Sequence, residues 1–192
     1  DGYCTFSLNL GGIARTFNTR GIDALAEVVR AKVERLYERH PSLGPLTVVG
    51  HSKGGLIGAY YVKRLGGDRR VRTLVTLGTP HNGTPVAYAG LPLGFLARSL
   101  WQITPLSPFL KRLHRDPWPA GVRLVPGRSG RDLLTPPPAA LLGPDGAPHV
   151  SNQEGSCPHR EFRYRRRVSR AIHEDIGGGR LGLATEPQIR SA

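Results

Sequence analysis

The sequence predicts an α/β domain, with a mostly parallel sheet and helices on both of its faces. Three observations predict it. Short apolar runs of strand length alternate with segments of helical period, in the order strand, helix, strand, helix, strand. A Gly-His-Ser-Lys-Gly pentapeptide, residues 50–54, stands where one such strand gives way to a helix. At 192 residues and 39% hydrophobic content, the chain suits one domain, or most of one, with a real core.

Taken in order, Tyr3–Leu10 (YCTFSLNL) alternates in part and stops at Gly11-Gly12, which reads as a strand. Ile22, Leu25, Val28, Val29, Val33 and Leu36 then recur at helical spacing. Glu27, Arg30, Glu34 and Arg35 fall between them, so the spacing predicts an amphipathic helix ending near His40-Pro41. Leu46–Gly50 (LTVVG) has the continuous apolar character of a buried parallel strand. Leu56–Leu65 reads as a helix stopped by Gly66-Gly67, and Val71–Leu77 as the next strand.

Thr79–Ala120 is rich in proline and glycine, yet it carries Leu91, Leu93, Phe95, Leu96, Leu100, Trp101, Ile103, Phe109 and Leu110. It is too long and too apolar for a plain connector. Two compatible readings stand: a helical excursion packed on the sheet, or a cap or lid over an apolar pocket, covering about residues 84–120. Val122–Val125 is the following strand, and Thr135–Ala140 (TPPPAA) a rigid turn that starts a short helix. Pro148–Ser151 is a candidate last strand and Phe162–Ile176 a final helix, closing a domain over residues 1–176 with a tail over 177–192.

The net charge of +13 describes a basic surface, with an anionic membrane as a candidate partner. Nucleic acid is not expected. The densest basic run, Arg160–Arg170, offers only Phe162 and Tyr164 as rings, and no nucleic-acid motif accompanies it. Cys4 and Cys157 are too few for a disulfide framework, and His and Cys lack zinc-ligand spacing, so no metal or organic cofactor is expected. No segment reaches the roughly 18 apolar residues of a membrane span. The chain contains no methionine, which points to a processed chain or a fragment and leaves the compartment unassigned, with a lean to secreted or membrane-associated.

The pentapeptide carries chemistry because of its setting. A serine on a tight strand-to-helix turn is pushed out at the carboxyl end of the sheet. Glycines at 50 and 54 are expected to leave room where a Cβ would clash. Ser52 is then the candidate nucleophile, and the Lys53 backbone N–H a candidate oxyanion donor at the helix start. Such a serine needs a base and an orienting carboxylate, in the chain order serine, acid, histidine. Asp132 lies beyond the carboxyl end of strand Val122–Val125, whereas Asp116 precedes that strand and Asp145 sits in a Gly-Pro turn. The alternative role for Asp132 is to cap the turn before Pro136. His159 follows the last strand, while His149 would sit at its amino end and His173 lies within the final helix. The candidate triad is therefore Ser52, Asp132 and His159. His51, His81, Leu91, Phe95 and Trp101 are candidate pocket residues.

Residues 46–86 contain GHSKGG at 50–55 and TLGTPHNGTPV at 76–86. Together these motifs resemble bacterial triacylglycerol lipases and related α/β-hydrolases. SGRDLLTPPPAA at 129–140 is similar to that family's acid loop, and PHREF at 158–162 to its histidine loop, with Pro158 where Gly or Ser is more usual. The resemblance implies an α/β-hydrolase-type sheet with a cap insertion. It also implies an upstream strand ending in His-Gly that supplies the second oxyanion N–H. Nothing here matches that strand, so the chain is expected to lack its N-terminal strands and to be a fragment. In the implied topology Cys4 and Cys157 lie at opposite ends of the sheet, so no disulfide is expected between them. The expected function is a serine hydrolase acting on a lipid or small ester substrate. The rivals are an acyltransferase, thioesterase or amidase on the same fold, and a non-catalytic basic binding protein or inactive fragment.

Overall fold

The computed structural model describes residues 4–8, 10, 20–89, 98–129, 131–136, 153–155 and 159. Helix α1 spans Ile22–Arg39 and buries Ile22, Leu25, Val29 and Val33 of the expected stripe together with Ala26, while Val28 and Leu36 are only half-buried. It ends where Pro41 follows His40, since proline can neither donate the next helical bond nor fit the turn before it. Strand β1 is Leu46–His51, helix α2 is Lys53–Arg64, and strand β2 is Val71–Leu77. Short helices α3 (Arg98–Gln102) and α4 (Pro108–His114) follow, then strands β3 (Arg123–Ser129) and β4 (Gln153–Gly155). The strands form one parallel sheet in the order β1-β2-β3-β4.

The core is continuous from α1 through α2 to the sheet. It contains Leu56, Ile57, Tyr61, Val62, Val71, Leu74 and Leu124 together with the α1 stripe. Burying each large side chain contributes about 1.5–3 kcal/mol, so this cluster fixes the layers. Phe109, Leu110 and Leu113 of α4 join the same cluster, and the Phe109 ring stacks on Tyr60 with centroids 5.6 Å apart. The described part of the excursion thus packs on the domain through α4.

Four expectations change in detail. The strand expected at Tyr3–Leu10 is absent over Cys4–Leu8 and Leu10, and Cys4–Leu8 are exposed. A strand is held by its ladder, and among the described residues β1 pairs only with β2. Helix α2 starts at Lys53 rather than Leu56, because the close turn at Ser52 draws the two glycines into its first turn. Strand β3 runs past Val125 through Pro126 and Gly127 to Ser129. Proline is accommodated there because β4 joins only from Gly127 onward, which leaves Pro126 with β2 as its one described neighbour. The last described strand is Gln153–Gly155. The Pro148–Ser151 strand, most of the TPPPAA turn, the Phe162–Ile176 helix and the tail lie outside the described residues.

Candidate active site

Ser52 sits between the carboxyl end of β1 and the first residue of α2, with φ 54° and ψ −127°. A side chain rarely adopts that backbone, and here the surroundings enforce it. The Ser52 N–H donates to the Leu77 carbonyl at the end of β2, 2.8 Å. The Thr79 hydroxyl donates to the Ser52 carbonyl, 3.0 Å. Glycine provides the clearance, though at Gly50 and Gly55 rather than Gly50 and Gly54. A Cβ on Gly50 would lie 2.6 Å from the Gly55 nitrogen, and one on Gly55 would collide with the Thr79 side chain. Gly54 faces open space. The turn is closed by backbone against backbone at 50 and by the next loop at 55, which leaves the second glycine of the pentapeptide outside the crowding.

Asp132 follows β3 and is 2% exposed. Its Oδ1 accepts the N–H groups of Leu134 at 3.0 Å and Thr135 at 2.8 Å. Its Oδ2 lies 2.7 Å from His159 Nδ1. One oxygen therefore caps the turn while the other faces the histidine. Below the pair is Gly78, at φ 51°. A Cβ there would stand 2.8 Å from Asp132 Oδ2 and 3.1 Å from His159 Nδ1. Thr135 donates to the Gly78 carbonyl at 3.0 Å, and its hydroxyl lies 3.4 Å from His159 Nδ1. On the other side, His51 Nε2 donates to the His159 carbonyl at 2.8 Å, with ring centroids 4.7 Å apart. The structure thus brings Asp132 and His159 together, next to the residue that precedes Ser52.

The remaining candidates are placed as follows. Lys53 opens α2; its Nζ donates to the Ser99 hydroxyl at 3.2 Å, and burial pushes the ammonium pKa below its ordinary value. His81 is 1% exposed, and its Nε2 lies 2.9 Å from the Thr76 hydroxyl, so its ring is packed into the domain under the loop after β2. Burial, aided by the charge of His114, pushes its pKa down to about 3. Trp101 is half exposed and lines a cavity of about 210 Å³ with Arg98, Gln102, Phe109 and Arg112; Ser52, Asp132 and His159 do not border it. Asp116 is a surface residue paired with Arg64. Leu91, Phe95, Asp145, His149 and His173 lie outside the described residues. Cys4 is exposed, and Cys157 also lies outside. Among the described residues, no group of three His, Cys, Asp or Glu could hold a metal ion.

Sequence reasoning passed over Gly55, Gly78, Thr79 and Thr135. Three of them were in view, as the fifth residue after Gly50 and as the Gly-Thr of the LGTP stretch. Thr135 carried no local signal, because its partner is the Gly78 carbonyl, 57 residues away.

Residues 1–105, more than half of the chain, match the family model of the α/β-hydrolase fold. The chain belongs to the α/β-hydrolase family. Among solved structures, this α/β-hydrolase is similar to a Bacillus licheniformis lipase in its mature form, at 15% identity and a TM-score of 0.66. That match covers 82% of this chain and 75% of the lipase. It is also similar to Aspergillus fumigatus lipase B, at 17% identity and a TM-score of 0.66, over 86% of this chain and 45% of that one. A thermophilic esterase matches at 18% identity and a TM-score of 0.59, over 85% of this chain and 75% of the esterase. At these identities the likeness is one of fold. No curated protein matches the chain.

Proposed function

We propose that the protein is a serine hydrolase that cleaves carboxylic esters with apolar acyl groups. The observation that carries this reading is the 2.7 Å contact between Asp132 Oδ2 and His159 Nδ1, anchored beside the strained Ser52 turn. Asp132 holds the imidazole with its proton on Nδ1, which leaves Nε2 as the basic nitrogen. His159 takes the Ser52 proton as Oγ attacks the acyl carbon, and the Lys53 N–H donates to the oxyanion that forms. Collapse expels the alcohol with the proton from His159. Water then repeats the sequence and releases the acid.

An apolar acyl group is supported by Leu133 and Leu134, which directly follow Asp132 and are 86% and 46% exposed. Leu106 supports it as well, held out at 76% exposure on a backbone with φ 60°. The net charge of +13 supports an anionic lipid surface as the place where substrate is met, at about 1 kcal/mol for each close basic residue. The similarity to lipases and an esterase supports the same reaction class.

The test is intact-mass spectrometry after treatment with a fluorophosphonate, on this chain and on Ser52→Ala. The expected result is one adduct on the parent chain and none on the variant. A parent chain left unmodified would overturn the reading.

A further inference from the structure

We infer that His51 is a positioning residue that locks the backbone of His159 onto the nucleophile turn, so that base and nucleophile keep one geometry. The inference rests on the reading of His159 as the general base. His51 is the last residue of β1, and its backbone is registered against Leu77 of β2. Ser52 is the next residue, so whatever His51 holds is held relative to the nucleophile. What it holds is the backbone of His159, 108 residues away, through Nε2 to the carbonyl at 2.8 Å. A carbonyl only accepts, so His51 carries its proton on Nε2.

The second contact is between the rings, with centroids 4.7 Å apart and planes tilted by 49°. Asp132, with the Thr135 hydroxyl at the same atom, holds the His159 ring at Nδ1 only. A bond to the backbone carbonyl fixes the other end of the residue. Two anchors define where Nε2 points, and one does not. The polar edge of His51 is used on His159.

His51→Phe keeps a ring against His159 and removes the donor. His51→Gln places an amide N–H close to where Nε2 stood. The experiment measures the rate of Ser52 modification by the fluorophosphonate, together with kcat and KM on a short-chain ester, for the parent chain and both variants. The expected result is that His51→Phe lowers the modification rate and kcat toward the about 10²-fold cost of a misplaced catalytic group, with KM unchanged. His51→Gln recovers most of that loss.

A Phe variant as fast as the Gln variant, or both at the parent rate, would overturn the inference, since a packing role favours the ring and no role favours neither. If His51→Phe loses its cooperative urea transition, His51→Leu takes its place in the same comparison. An unmodified parent chain would overturn the ester-hydrolase reading and this inference with it. A modified parent chain without the order Gln above Phe would overturn the inference alone.

Discussion

At the scale of single residues, Asp132 divides its oxygens between the turn and the histidine. That division makes Asp132→Asn informative. The amide oxygen can still accept from Leu134 and Thr135, so the turn survives, while an NH₂ group now faces His159 Nδ1. The imidazole is driven to the wrong tautomer, and kcat is expected to fall by about 10⁴-fold with the urea midpoint nearly unchanged. A kcat near the parent value would show that Asp132 does not orient the base. Glycine substitution at the turn gives a second comparison. Gly50→Ala sets a methyl against the backbone of Gly54 and Gly55, which cannot swing aside, and should destabilise the protein by about 3 kcal/mol. Gly54→Ala meets nothing and lies in the first turn of α2, so it should be neutral, or stabilising by up to about 1 kcal/mol. Urea midpoints of the two variants check the contrast.

At the scale of elements, the excursion is tied to the start of α1. That helix begins at Gly21 without a side-chain cap of its own. Gln102 supplies one from 80 residues away: its Oε1 accepts the Ile22 N–H at 2.6 Å, and its Nε2 donates to Asp23 at 2.9 Å. Arg98 adds an ion pair to Asp23 at 3.1 Å. Burial works to raise the Asp23 pKa, but the bonds from Gln102 and the backbone, with the Arg98 charge, outweigh it and hold the carboxyl below its ordinary value. Gln102→Ala should cost about 1–3 kcal/mol, because a buried helix N–H loses its acceptor, and urea titration reads the loss. Gln102→Glu should not rescue it, since it sets a second carboxylate against Asp23. The helical stripe of α1 was legible in the sequence because it is local and periodic. Its cap was not, because Gln102 and Ile22 meet only after the excursion has folded back.

At the scale of the whole molecule, the buried His81 couples stability to pH. In the fold it takes up a proton only near pH 3, whereas in the unfolded chain it does so near its ordinary value of 6.5. The unfolded state therefore binds more protons between those values. The stability associated with neutral His81 is complete above pH 6.5 and is lost progressively as pH falls toward 3. His114, also pushed below its ordinary value by burial and by Lys63 against the opposing bond to the His81 carbonyl, acts in the same direction. His81→Asn should flatten the fall of the urea midpoint between pH 7 and 5. An unchanged slope would mean that His81 carries none of it.

The sequence by itself determined the alternation of elements, the stripe of α1, the β1–Ser52–α2 turn and the short list from which Asp132 and His159 come. These are local matters: hydrophobic period, glycine placement, and the side of a strand on which a loop falls. The tertiary structure decided which candidates meet, that Asp132 caps its turn with one oxygen while the other meets His159, and that Gly55 and Gly78 rather than Gly54 provide the clearance. It also decided that Gln102 caps a distant helix and that His51 binds the His159 carbonyl. Each of these depends on groups far apart in the chain brought within hydrogen-bond or van der Waals distance, and no periodicity encodes such a distance.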